Sequence, residues 1–145
     1  MENLFKLFSE QKKKLKVIGK KYNLKLVVVY GSWAKGIAKS ASDLDIGVLG
    51  KGKIEFNNLL NLAENLEGVF SKKERGELDI KSLHEIDPLF RWQVMRNSIL
   101  IYGNHFDYIS FKIYAWRAYQ DSRSLFRLEE AMAKKGLNLL KENYA

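Results

Sequence analysis

The stretch Leu26-Val27-Val28-Val29-Tyr30-Gly31-Ser32-Trp33-Ala34-Lys35-Gly36, resumed at Ser42-Asp43-Leu44-Asp45-Ile46-Gly47-Val48, decides how this chain folds. Leu26 to Tyr30 is a short, continuous, mostly β-branched run, which predicts a buried central strand. Gly31-Ser32 breaks it. Residues 33–42, with Gly36 and several Ala and Ser, predict a short helix or loop. Leu44, Ile46 and Val48 then alternate with Asp43, Asp45 and Gly47, the period of two that marks a second strand.

Working outward, Leu4, Leu7, Phe8, Leu15 and Ile18 recur at helical spacing and predict a helix over 3–21 ending at Tyr22-Asn23. Gly50-Lys51-Gly52-Lys53 is a flexible turn. Phe56, Leu59, Leu60, Ala63, Leu66, Val69 and Phe70 predict an amphipathic helix over 55–70. Gly76 opens a third short strand, Glu77 to Lys81. Asp87-Pro88 reads as an N-cap with Pro at the first helical position, leading a helix through Phe90, Val94 and Met95. Ser98 to Tyr102 predicts a fourth strand closed by Gly103. From about Asp107 the chain reads as helical nearly to its end, with a kink or break at Asp121-Ser122-Arg123-Ser124. The expectation is an α+β fold: one small mixed sheet flanked by helices, these mostly on one side, with a helical extension. It is a single domain over 1–145, divided into a basic N-terminal helix (1–22), an α/β core (24–103) and a helical tail (104–145).

Composition narrows the functions available. A chain of 145 residues with 46% hydrophobic and 29% charged residues is the size of one domain with a real core, not a disordered tail. No apolar run approaches the roughly 20 residues of a membrane span, and Met1 to Lys6 leads into no signal-like apolar core, so a cytoplasmic protein is expected. The absence of cysteine excludes disulfides, a thiolate zinc site and a cysteine nucleophile. Two histidines, His84 and His105, are too few for a His-rich metal site and read as surface or capping residues. The net charge of +8 is uneven: residues 1–25 hold eight lysines against two glutamates. That segment reads first as a solvated helix face, with nucleic acid as the less favoured alternative.

The chemistry lies where the two decisive strands meet. Asp43 and Asp45, two apart on a strand, project from one face. Two adjacent carboxylates repel, and a cation between them removes the conflict. Magnesium suits this role, since it takes hard oxygen ligands, often one or two carboxylates together with substrate phosphates. Gly31 lets backbone approach a phosphate, and the Ser32 hydroxyl and nearby N–H groups can donate to its oxygens. Asp79 alternates with Leu78 and Ile80. If its strand neighbours 43–49, it joins the pair, and three carboxylates can hold two metals roughly 3.5–4 Å apart, the arrangement used in phosphoryl and nucleotidyl transfer. Taken singly, Asp-x-Asp is ordinary strand polarity and Gly-Ser an ordinary turn; the combination is what points to a metal–nucleotide site.

Gly31-Ser32, ten residues, then Asp43-x-Asp45 resembles the signature of the polymerase-β-like nucleotidyltransferase superfamily. The fuller string, Gly31 to Gly36 and Ser42 to Ile46, with Asp79, the strand ending at Tyr102 and the C-terminal helices, is similar to its minimal nucleotidyltransferase (MNT) branch and to MntA-type antitoxins. The resemblance spans most of residues 24–130 and is weakest over the lysine-rich first helix. It implies two Mg2+ ions, ATP as substrate and transfer of AMP with release of pyrophosphate. It also implies a partner, a HEPN-domain RNase toxin silenced by adenylylation of a tyrosine. By carry-over, Asp43 and Asp45 ligate both metals. Asp79 ligates the one that activates the acceptor hydroxyl and accepts its proton, and Gly31 and Ser32 hold the β- and γ-phosphates. Lys35 stands where many relatives have Arg, which keeps the charge and loses the bidentate fork. Lys35 and Ser42 complete the expected nucleotide-binding set. Ser42 has turn-shaping as its structural alternative, and Lys39 reads as loop solvation.

Three rival readings stand beside this one. The same chemistry on a small-molecule hydroxyl needs an acceptor pocket for which 145 residues leave little room. A non-catalytic antitoxin that neutralises its partner by binding has no need of three acids. A nucleic-acid binder using the basic first helix would show steep salt dependence. Trp33 packs either near the nucleotide or as a hinge. Trp92, Tyr114, Trp116 and Tyr119 fall in expected helices, where aromatics usually enter the core; any that stay exposed mark a partner surface.

Overall fold

A computed structural model describes residues 5–70 and 75–144. Eight elements follow in the order α1 (Ser9–Lys21), β1 (Leu24–Tyr30), β2 (Leu44–Gly50), α2 (Phe56–Glu67), β3 (Leu78–Ser82), α3 (Pro88–Arg96), β4 (Ile99–Tyr102) and α4 (His105–Tyr144). The strands form one sheet in the order β3-β2-β1-β4. β1 runs antiparallel to both β2 and β4, and β2 runs parallel to β3. The sheet is therefore mixed, with the decisive run Leu26–Tyr30 in its middle.

Both faces of β1 are apolar, and both need cover. Leu24, Val27 and Val29 join Leu44, Ile46 and Val48 of β2 against Leu15 and Ile18 of α1 and Leu62 and Leu66 of α2. Leu26, Val28 and Tyr30 pack instead with Val94 and Met95 of α3 and Tyr108, Phe111 and Ala115 of α4. Leu24 and Leu26 point to opposite faces because the register shifts between them. The helices thus lie two on each face, which corrects the expectation of helices mostly on one side: a strand of five buried apolar residues in a row cannot leave one side to water.

α1 begins at Ser9, later than expected. The positions at Asn3 and Leu4 lie outside the described residues. Phe5 and Leu7 pack on the first core cluster without being helical, and the Gln11 side chain accepts from the Phe8 N–H at 2.9 Å, closing the helix start there. Gly19 lets α1 approach β4, since a Cβ there would run into the Tyr102 ring. Residues 33–42 form hydrogen-bonded turns and no regular helix. Asp87 caps α3 by accepting from the Phe90 N–H, with Pro88 first in the helix, as the sequence predicts.

α4 runs unbroken for 40 residues. The expected kink at Asp121–Ser124 is absent: that segment holds neither Pro nor Gly, and its polar side chains face water. Trp116 and Tyr114 are about half exposed and lie outside the core, unlike Trp92, which packs against the second cluster. Among the described residues, no helix is long and apolar enough to cross a membrane.

Candidate active site

The antiparallel register pairs Tyr30 with Asp45, and the parallel register pairs Asp45 with Asp79. Directly paired residues share a face, so Asp45 and Asp79 stand side by side on the α3/α4 face, at the end of the sheet where β1 gives way to Gly31. Strand 78–82 thus neighbours strand 44–50, the condition on which the third acid depended. Asp43 sits one residue before β2. Its Oδ1 accepts from the Glu77 N–H at 2.8 Å, while the Leu44 N–H donates to Glu77 O and the Gly76 N–H to Ser42 O. These bonds zip the chain ahead of β2 to the chain ahead of β3 and hold the three acids at one edge. Gly76 is required at this seam: a Cβ there would strike the Asp43 carboxylate and Ala41 O.

The loop from Gly31 to Asp43 is shaped locally. Gly31 has φ +74°, in the left-handed region, and its Cα faces the Asp45 carboxylate so closely that a Cβ would collide with Oδ2. The Lys35 N–H donates to Gly31 O and the Ile37 N–H to Ser32 O, winding Gly31–Ile37 into a tight turn. The Ser42 hydroxyl accepts from the Lys39 N–H at 2.8 Å, the turn-shaping role weighed for it. Trp33 Nε1 donates to Ser42 O at 3.0 Å, and its ring meets Phe5 edge-on. Trp33 is therefore the clasp that ties the first half of the motif to the second. Ser32 is half-buried in this loop, whereas Lys35 and Lys39 are exposed.

Electrostatically the site is short of positive charge. Asp45 is held above the ordinary carboxylate range by burial first, then by Asp79 and Asp43, with Lys81 partly opposing. Lys81 Nζ lies 3.8 Å from Asp79 Oδ1, both groups about half exposed. The Tyr30 phenol is pushed up by burial first, then by Asp45 and Asp79, and stays neutral. Sequence reasoning missed Lys81 and Tyr30. The signal was present, since Lys81 lies two residues after Asp79 on one strand and Tyr30 immediately precedes Gly31, but reading it required the strand order.

Among the described residues, no group of three or more His, Cys, Asp or Glu side chains stands close enough together to hold a metal ion unaided. The chemistry of the donors nevertheless fits a divalent cation bound jointly with phosphate. They are hard carboxylate oxygens, and burial together with their mutual repulsion raises the proton affinity of Asp45. Asp45 and Asp79, with the Asp43 oxygen that Glu77 leaves free, are the groups that would hold it. A concavity of about 1070 Å³ lies elsewhere, on the α1/α2 side behind the loop, lined by Phe5, Trp33, Phe70 and Arg75 among others. Asp43 and Asp79 are exposed, and Asp45 is half-buried between them. His84 and His105 are exposed and stand against Phe111 and Tyr108.

A family model described as polymerase beta, nucleotidyltransferase, matches residues 13–107, which takes in the whole sheet and all three acids. This chain belongs to the polymerase-β nucleotidyltransferase family. A Methanocaldococcus jannaschii protein described as "Putative protein adenylyltransferase" is 32% identical over 92 residues, covering 63% of this nucleotidyltransferase and 94% of that protein. A chain of the crystal structure of a toxin-antitoxin with AMP-PNP superposes with TM-score 0.65 at 20% identity, covering 83% of this chain and 98% of that one. A chain of the tri-AMPylated Shewanella oneidensis HEPN toxin in complex with MNT antitoxin gives 0.61 at 18% identity, covering 85% and 97%. At these identities the two structures establish a shared fold.

Proposed function

We propose that this nucleotidyltransferase moves AMP from Mg-ATP to a tyrosine hydroxyl of a HEPN-type RNase toxin and thereby acts as its antitoxin, in the cytoplasm. The observation that carries the reading is the pairing of Asp45 with Asp79 beside Gly31, with Asp43 tied to the same edge. The described activity of the Methanocaldococcus relative and the toxin complexes that share the fold support it. In this reading residues 24–103 are the catalytic unit of a single domain, and α4 is its extension.

The acceptor oxygen attacks the α-phosphorus of ATP. An O–P bond forms, the bond to the bridging oxygen of the β-phosphate breaks, and pyrophosphate leaves. Gly31 and Ser32 receive the β- and γ-phosphates at the turn, and Lys35 and Ser42 lie on the same loop to add charge and a hydroxyl. Asp79, exposed at the edge strand, takes the proton of the incoming hydroxyl, whose ordinary pKa of about 10 makes such help necessary. Two magnesium ions, when held by Asp43, Asp45 and Asp79, would neutralise triphosphate charge and lower the pKa of the attacking hydroxyl. The open surface around the acids suits a side chain presented by another protein better than an enclosed small molecule.

The test is intact mass spectrometry of a HEPN-type protein encoded beside this one, incubated with the chain and Mg-ATP. The expected result is a gain of one or more AMP masses on a tyrosine, abolished by Asp45→Asn and by EDTA. Tight binding by parent and variant alike, without mass gain, would replace the enzymatic reading with a binding antitoxin. AMP transfer only to small hydroxyl compounds would replace the partner.

A further inference from the structure

AMP transfer by the three acids leaves Lys81 unused. β3 is an edge strand of the sheet, and side chains two apart along a strand share a face, so Lys81 projects beside Asp79. The parallel register pairs Asp79 with Asp45 and Lys81 with Gly47. Four positions therefore form a square on one face: two acids in one row, a lysine beside a glycine in the next. Gly47 brings no side chain, and Lys81 Nζ turns back to Asp79 Oδ1 at 3.8 Å. Among the described residues this is the one ion pair that Asp43, Asp45 or Asp79 makes. Both partners are about half exposed, and a pair so wetted contributes little to folding. Its effect falls on the charge of the site.

Three carboxylates at one edge carry three negative charges, and Lys81 returns one. The remainder is two, the charge of a single divalent cation. Holding two such ions takes more negative charge than these residues supply, and a nucleotide triphosphate supplies it. We infer that Lys81 is a positioning residue that holds the Asp79 carboxylate and limits the nucleotide-free site to one divalent cation, a second being accepted only together with the nucleotide. The inference rests on the metal–nucleotide reading of the site and assigns the order in which it loads. An ammonium against Asp79 repels a divalent ion at that carboxylate. Even at the dielectric of water, one charge opposing a double charge a few ångströms away costs about tenfold in affinity. The lysine stem is flexible and half exposed, so the ammonium can leave Asp79 for a phosphate oxygen when one arrives.

Mn2+ is the probe, with protein-bound ions counted by equilibrium dialysis and electron paramagnetic resonance on the full chain. The parent is expected to bind one ion alone and two once AMP-PNP is added. Lys81→Met is expected to bind two without nucleotide, the second at least about tenfold more tightly than the parent does. Lys81→Arg keeps the charge and is expected to behave as the parent. Both variants are expected to melt with the parent, and a lysine with a merely structural role would leave the ion counts unchanged. Equal nucleotide-free Mn2+ binding by the parent and Lys81→Met, with two ions bound by each in AMP-PNP, would overturn the role of Lys81 and leave the metal site standing. Two ions on the nucleotide-free parent would overturn that role as well. A parent that binds no Mn2+ even with AMP-PNP would instead overturn the metal–nucleotide reading, and this inference with it.

Discussion

Replacing Gly31 by alanine tests the loop and the carboxylates together. Two costs arise, and they are separable. The backbone sits at φ +74°, where an L-residue with a Cβ loses about 1–2 kcal/mol. The new methyl also lands on the Asp45 carboxylate. Asp45 cannot simply retreat, since it is paired with Tyr30 on one side and Asp79 on the other. Relief therefore comes from rotating its side chain or lifting the turn, and either moves the phosphate loop relative to the acids. For a domain of this size the backbone term alone lowers the melting temperature by about 3–8 °C. A displacement of about 1 Å at a reacting centre can cost about a hundredfold in rate, so AMP transfer is expected to fall at least that far. Gly52→Ala is the control, for its Cβ would meet nothing within 4 Å and its φ is ordinary; it is expected to leave both readouts unchanged. Thermal unfolding by circular dichroism and radiolabelled AMP transfer measure the two effects. A Gly31→Ala protein with the melting temperature and rate of Gly52→Ala would refute the account of this loop.

Asp45→Asn is expected to abolish transfer while raising the melting temperature of the metal-free protein at neutral pH. The sign follows from the direction of its shift. A carboxyl raised above its ordinary value of 3.8 favours the folded state when protonated, so that contribution is complete below the ordinary range and is lost as pH rises through the raised value. The asparagine variant should accordingly show a flatter stability profile across that window. Arg91→Met is expected to cost about 2–4 kcal/mol in urea unfolding, because the buried guanidinium donates to Leu83 O, His84 O and Ile86 O and its loss strands three carbonyls. Gly19→Ala is expected to destabilise by thermal melt despite alanine's better helix propensity, because the methyl displaces the Tyr102 ring; a stabilised variant would show that α1 does not rest on β4 there.

Much of the fold was legible because it is written in local periodicity. The apolar run Leu26–Tyr30, the alternation around Asp43 and Asp45, and the Asp87-Pro88 cap each specify an element within a few residues, and each stands as read. The helix starting at Ser9 was misplaced because Leu7 and Phe8 continue the helical spacing of Leu15 and Ile18, yet residues 5–8 are not helical and Phe5 and Leu7 pack on the core from outside the helix. The side on which helices pack was also misjudged, since a run apolar on both faces says that it is buried without saying by what.

At the site, sequence alone determined which residues are chemically suited: acids two apart on a strand, a glycine after a buried strand, and a third acid between apolar neighbours. Side chains two apart in an extended strand project the same way by covalent geometry, which brings Asp43 near Asp45 from sequence alone, although Asp43 itself precedes β2 by one residue. Tertiary structure alone decided that Asp79 stands beside Asp45, that Lys81 and Tyr30 share their field, and that Trp33 clasps the loop through Ser42. Those facts depend on which strands pair and in what register, and pairing is settled by the burial of the whole sheet between its two layers of helices.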